Sequence, residues 1–245
     1  MKDGKSIELV GETGLPVWHK VAVGSATVSV GNDGKGPTAV HAVGKAVVLL
    51  TPPLPIERYS LSMEFKDIVG ITMRSPKDVP THRFGAIFGI VETRDPGGAY
   101  ALSGFRTIFQ DFAGTHPNEK MPLEFQHVLY GTPPGKPMVI SCHTVGSHLL
   151  LPSRLIGSPG KWRKLRFEIT PEFIDAFCVD DEGREKKYVR NPAPALNGYI
   201  RDDTASFCKE GNCQIEIPVW APNRPVGIVC EEATVGMRNV RVDPR

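Results

Sequence analysis

The chain has 245 residues, and its 29 basic and 27 acidic side chains leave a formal net charge of +2, too even a balance to make a nucleic-acid surface by charge alone. Its 25 glycines and 22 prolines are scattered between apolar runs with no collagen period, which excludes a fibrous repeat and suits many short elements joined by turns. No apolar run approaches the roughly eighteen residues that span a bilayer, and MKDGKSIELVGETG lacks an apolar signal core; the expectation is a cytoplasmic protein as given, or an exported one whose signal was removed.

In chain order, two valine-rich stretches, 21–30 and 38–50, read as strands separated by the turn GNDGKG. Pro52, Pro53 and Pro55 then stop any ladder. Tyr59, Leu61, Met63 and Phe65 alternate with Ser60, Ser62, Glu64 and Lys66, the clearest half-buried strand of the sequence. Residues 84–91 form a more continuous apolar run, with Gly85 and Gly89 placed to admit an aromatic neighbour or a close ligand. Further strands are expected over 100–112, 123–130 and 138–144, the last two joined by GTPPGK.

After a proline- and glycine-bearing connection, Leu165, Phe167 and Ile169 face one way. Alternation resumes from Phe173 to Val179, DDEG makes a turn, and residues 184–190 supply a return strand. Residues 191–212 read as a long loop with at most a short helical turn, and strands at 225–231 and 235–243 close the pattern. No stretch keeps a 3.6-residue apolar stripe through a full helix. The fold class that follows is all-β: an antiparallel two-sheet sandwich of the jelly-roll kind, expected as one domain over 1–245 with a long middle insertion around 113–159.

The basic stretch Lys161, Arg163, Lys164 and Arg166 reads as a solvated strand face, with a phosphate or acidic-glycan contact as the alternative. Of the cysteines, Cys178 and Cys230 sit in apolar alternations and read as buried thiols. Cys208 and Cys213 flank the polar segment KEGN, leaving a local disulfide open. With Cys142 they show no zinc-site spacing, and no metal site is expected.

Three segments carry a likeness to a known family: YSLSMEFKD, GKWRKLRFEITPEFIDAFCVDDEGR and PVGIVCEEATVGMRNVRVDP. They resemble the early core strand, the tryptophan-led hairpin and the terminal strand pair of the concanavalin A-like lectin and glucanase superfamily. Within it the nearest likeness is to the 3-keto-disaccharide hydrolase-like family. FRTIFQD is similar to that family's aromatic, glutamine and aspartate strand, with Arg106 where a glutamate is usual. The resemblance implies a concanavalin A-like sandwich and a sugar ligand; because the family includes non-catalytic modules, it does not imply turnover. Calcium is common among the superfamily's lectins, but the calcium loop is missing here; no cofactor is expected, and calcium stays open without a recognised motif.

The E-x-D-x-x-E strand of the superfamily's glucanases is absent; Glu64 and Asp67 would fall on opposite faces of a strand. Glycoside hydrolysis needs two convergent carboxyl groups, for which Asp111, Glu92, Asp95 and Glu124 are the candidates. Sugar recognition needs aromatic platforms and hydrogen-bonding forks, and Tyr100, Phe105, Arg106, Gln110, Asp111, His127 and Tyr130 are the candidates for that. His116, His143 and His148 form no compact metal motif, and no P-loop, dinucleotide fingerprint or G-x-S-x-G elbow occurs. The leading reading is non-catalytic recognition of a carbohydrate or glycan-like ligand, with no nucleic-acid or membrane partner. The alternatives are a glycoside hydrolase acting on a disaccharide or oxidised disaccharide, and a protein-interaction sandwich without a sugar site.

Overall fold

The computed structural model describes residues 5–10, 18–29, 38–67, 81–112, 122–144, 149–150, 162–179 and 183–245. The GNDGKG turn, most of DDEG, Lys161, His116 and His148 lie outside them, as do the side chains of Gln110 and Asp111.

Strands β1 (Ile7–Val10), β2 (Lys20–Val23), β3 (Ala26–Ser29), β4 (Thr38–Ala42), β5 (Lys45–Leu49) and β6 (Tyr59–Asp67) open the chain. Then come β7 (Thr81–Arg94), β8 (Tyr100–Phe112), β9 (Pro122–Thr132), β10 (Val139–Thr144) and β11 (Leu149–Leu150). The remainder holds β12 (Arg163–Ile169), β13 (Phe173–Val179), β14 (Glu185–Pro192), helix α1 (Ala193–Gly211), β15 (Val226–Glu231) and β16 (Thr234–Pro244). All ladders are antiparallel, and the strands form two sheets, which gives the sandwich that the alternation implied. The first sheet runs β14-β13-β12-β6-β16-β4-β3 with β1 beside β16; the second runs β10-β9-β8-β7-β15-β5-β2 with β11 beside β9.

The two orders match position for position because the chain changes sheets at its corners. Residues 21–30 and 38–50, each expected as one strand, split at Gly24 (φ 69°) and Gly44 (φ 83°). A Cβ at Gly24 would lie 1.8 Å from the Lys45 carbonyl oxygen, so only glycine turns this corner. The change between β15 and β16 falls at Glu232 (φ 50°), whose N–H donates to the Gly44 carbonyl at 2.7 Å.

Alternation becomes burial strand by strand. Tyr59, Leu61, Met63 and Phe65 on β6, with Leu165, Phe167 and Ile169 on β12, fill the space between the sheets. The second sheet answers with Phe84, Phe88, Phe105, Phe109 and Phe125. Phe88 reaches Phe167 across the core at a centroid distance of 4.9 Å, and Phe84 lies 5.6 Å from Phe109, pairs worth about 0.5–1.5 kcal/mol each beyond their burial. Arg163, expected on a solvated face, points inward, its guanidinium 5.0 Å and 4.9 Å from the Phe84 and Phe109 rings. It holds the inward position of the β12 alternation, and stacking on two rings partly offsets the loss of water.

The segment after β14 is a 19-residue helix where a loop was expected. Its buried positions are Leu196, Ile200, Asp203, Thr204, Phe207 and Gly211, a 3.6-residue stripe that two polar residues and a glycine disguise. Pro194 stands in the first turn, where its missing N–H does no harm. The helix packs on β9, β10 and β14. Phe207 sits so close to β9 that a Cβ on Gly131 would come within 2.2 Å of its ring. Gly89 admits an aromatic neighbour in the same way: at φ 66° its missing Cβ would be 2.4 Å from the Trp220 ring. None of the described helices is long and apolar enough to cross a membrane.

Candidate functional site

Strands β8 and β9 send alternate side chains to opposite faces of the second sheet, and each face carries a buried polar cluster. On the outer face, turned away from the first sheet, Leu102, Ile108, Val128 and Tyr130 join Val47, Ile87 and Val229 in a second apolar layer. Arg106 stands within it, only 2 % exposed. Its Nε donates to Gln126 Oε1 at 2.8 Å, and its Nη1 donates to Glu231 Oε1 at 2.7 Å and to the Tyr130 hydroxyl at 3.0 Å. Register builds the row: Arg106 lies opposite Gln126 on β9 and opposite Ile87 on β7, and Glu231 lies opposite Arg83 on β7.

The row extends in both directions. Gln126 Nε2 donates to Glu124 Oε2 at 2.5 Å, and Arg83 Nη1 lies 3.6 Å from Glu231 Oε2. Its centre is buried while Glu124 is half-buried and the Arg83 side chain is 38 % exposed. Burial opposes charge on Arg106, but Tyr130 and Glu231 outweigh it and hold the guanidinium ionised above its ordinary range. Burial pushes the Tyr130 phenol up to about 12 despite the nearby guanidinium. The phenol therefore keeps its proton at neutral pH, and its oxygen accepts from Arg106. Arg83 Nε is a buried donor without a partner among the described residues.

On the inner face, His127 on β9 lies directly opposite His143 on β10. Both Nδ1 atoms close on the carboxylate of Asp203, which α1 brings down onto this strand pair, and Ser141 Oγ donates to Asp203 Oδ1 at 3.3 Å. Burial raises the Asp203 carboxyl, but the hydrogen bonds and charges of His127 and His143 prevail and hold it below the ordinary carboxylate range. An ionised carboxylate only accepts, so each imidazole carries a proton on Nδ1. His127 Nε2 is then buried against the Phe105 ring without a partner among the described residues, whereas the His143 side chain is 57 % exposed.

Of the residues expected to bind a ligand, Tyr100, Arg106 and Tyr130 share the outer face. Tyr100 is half-buried beneath the Arg94 guanidinium, 5.1 Å from its ring centroid. Phe105 and His127 face inward, Phe105 into the core with its ring 5.5 Å from Trp220, so neither joins Arg106. The backbones of Gln110 and Asp111 continue β8 opposite Arg83 and His82.

The candidate carboxylates whose side chains are described, Glu92, Asp95 and Glu124, are dispersed. Glu92 pairs with Lys20 at 2.8 Å, and Asp95 accepts the backbone N–H of Ala99 at 2.7 Å and of Gln214 at 3.3 Å. Of the candidates whose side chains are described, only Glu124 belongs to the Arg106 row. Sequence reasoning missed Gln126, Glu231 and Asp203. The first two needed the register of four strands, and the third needed a helix that was read as loop. Among the described residues no group of three or more histidine, cysteine, aspartate or glutamate side chains is placed to hold a metal ion.

No family model and no curated protein matches the chain. Among solved structures, the carbohydrate-binding module CBM66 from Bacillus subtilis is similar at a TM-score of 0.41 and 8% identity, over 95% of this chain and 96% of that one. Sheep galectin-11 in complex with glycerol gives 0.30 at 12% identity, over 79% and 95% of the two chains. Peanut lectin with a nine-residue peptide gives 0.38 at 10% identity, over 98% and 94%.

Proposed function

We propose that the chain is a carbohydrate-recognition sandwich whose ligand meets the outer face of the second sheet. The observation that carries this reading is the hydrogen-bonded row Glu124, Gln126, Arg106, Glu231 and Arg83, buried at its centre and reaching solvent at its ends. Sugar hydroxyls are held best by donors and acceptors that need no ordering on binding. Arg106 is spent within the row and acts as a positioning residue. The solvent-reaching ends of the row, the exposed part of the Arg83 guanidinium and the Glu124 carboxylate, are the groups that a ligand touches.

Two arginines balance two glutamates along the row, which suits an uncharged saccharide better than a uronate. An amide and a guanidinium fill the space between the Glu124 and Glu231 carboxyl groups. Glycosidases keep about 5–10 Å between two carboxyl groups free for the scissile bond and its water, so the arrangement favours binding over hydrolysis.

The test is a glycan array followed by calorimetry on the wild type, Arg83→Ala and Glu124→Gln, beside a reducing-sugar assay on disaccharides and oxidised disaccharides. The expected result is a neutral glycan whose affinity drops about tenfold or more in each variant, the loss of one charged hydrogen bond, with thermal stability unchanged. An array with no bound glycan would overturn the reading, and turnover abolished by Glu124→Gln would replace it with a hydrolase.

A further inference from the structure

Helix α1 ends in a chain reversal that brings two thiols together. Asn212 is left-handed (φ 47°, ψ 50°), and the Cys213 N–H returns to the Cys208 carbonyl at 3.1 Å. A left-handed residue followed by a bond of this span is the Schellman ending, in which the side chain five positions on from the last-turn residue folds back against it. That contact is ordinarily apolar; here both positions are cysteine. Both thiols are partly exposed, and they are not covalently joined. Lys136 Nζ donates to the Glu210 carbonyl at 3.2 Å, so the same turn is anchored to the loop after β9.

We propose that Cys208 and Cys213 form a reversible dithiol–disulfide site that locks the end of α1. The co-reactant is a small disulfide such as glutathione disulfide. One protein thiolate attacks a sulfur of that disulfide, its S–S bond breaks, and one glutathione thiolate leaves with the electron pair and takes up a proton. The second protein thiol loses its proton and attacks the protein-bound sulfur of the mixed disulfide, expelling the second glutathione. The protein gives up two electrons and two protons, and one glutathione disulfide becomes two thiols.

The site needs little backbone rearrangement, because the helix ending already folds Cys213 back onto the turn that holds Cys208. Of the other cysteines, Cys178 and Cys230 are buried, and Cys142 lies on β10 in the neighbourhood of Arg106 and Tyr130. Closing the ring ties the segment leaving α1 to the helix's last turn, next to Phe207 and one turn beyond Asp203. The consequence is a slower opening of the last turn of α1.

The whole protein is equilibrated in glutathione buffers of graded ratio, quenched by alkylation, digested and weighed. The wild type is expected to lose two hydrogens on the peptide holding both cysteines, reversibly with added reductant. Amide exchange over residues 209–213 is expected to slow several-fold in the oxidised form. Cys208→Ser is expected to retain glutathione on Cys213, because the resolving thiol is gone. Alkylation of both cysteines at every ratio, or glutathione held stably on either one in the wild type, would overturn the proposal.

Discussion

Arg106 on β8 donates to Glu231 on β15 across the intervening strand β7, at 2.7 Å and with both side chains buried. The two residues are 125 positions apart in sequence, and their pairing ties the strand after α1 to the middle of the second sheet. Removing one partner of a buried ion pair leaves the other poorly compensated, and Glu231 would keep only Arg83, 3.6 Å away. Arg106→Met is therefore expected to lower unfolding stability by about 3–5 kcal/mol, read by urea denaturation. Arg106→Met combined with Glu231→Leu should recover most of that loss. A double variant no more stable than the single one would show that the pair is not the source.

The clasp on Asp203 sets a direction for pH. Its carboxyl titrates lower in the folded protein than its ordinary value because of His127 and His143, so its ionisation stabilises the fold above that ordinary value. The contribution fades as pH falls through the ordinary value and then through the depressed folded one. Asp203→Asn is expected to flatten the acid limb of the stability–pH curve below about pH 4 and to leave the remainder of its shape intact. Chemical denaturation at closely spaced pH values reads this, and an unchanged acid limb would refute it.

Phe207 occupies the space that a side chain at Gly131 would need. Gly131→Ala should cost about 1–3 kcal/mol by overpacking, and most of that penalty should vanish in a Phe207→Leu background. The double-mutant cycle is the measurement; strict additivity would mean that the two residues do not meet.

Trp220 closes the core by packing over Gly89, with its Nε1–H donating to the Thr170 carbonyl at 3.2 Å. Trp220→Phe keeps most of the buried ring and loses the hydrogen bond, so a loss of about 0.5–1.5 kcal/mol is expected. A much larger loss would mean that ring shape, not the bond, dominates. Because its ring is almost wholly buried, Trp220 should also show blue-shifted fluorescence that moves to the red on unfolding.

The sandwich was legible because two-residue alternation survives wherever a strand has one wet face, as in YSLSMEFKD and RKLRFEI. The helix was not legible, since Asp203 and Thr204 occupy the centre of its buried stripe and are satisfied only by side chains from other elements. The valine-rich strands were seen, but their corners at Gly24 and Gly44 were not, because a change of sheet preserves the apolar pattern. At the candidate site, residue type singled out Arg106 and Tyr130 as hydrogen-bonding groups and Glu124 only as a carboxylate for hydrolysis. Residue type also drew in Phe105 and His127, whose odd-numbered positions on β8 and β9 send them to the other face. Glu231 passed as the end of an apolar strand, since only the sheet order places it beside an arginine.

The order of strands has a bearing on how the chain reaches this structure. β15 lies between β5 and β7, and β16 between β4 and β6, so the centre of each sheet is filled by strands that follow α1 in sequence. Before those strands are in place, β4 and β6 have no common neighbour in the first sheet, nor β5 and β7 in the second. Every central ladder therefore closes over a long stretch of chain, the condition under which folding is slow. During synthesis both sheets stay divided until residues 226–244 have emerged, and the earlier strands must keep their unpaired edges from other chains for all of that time.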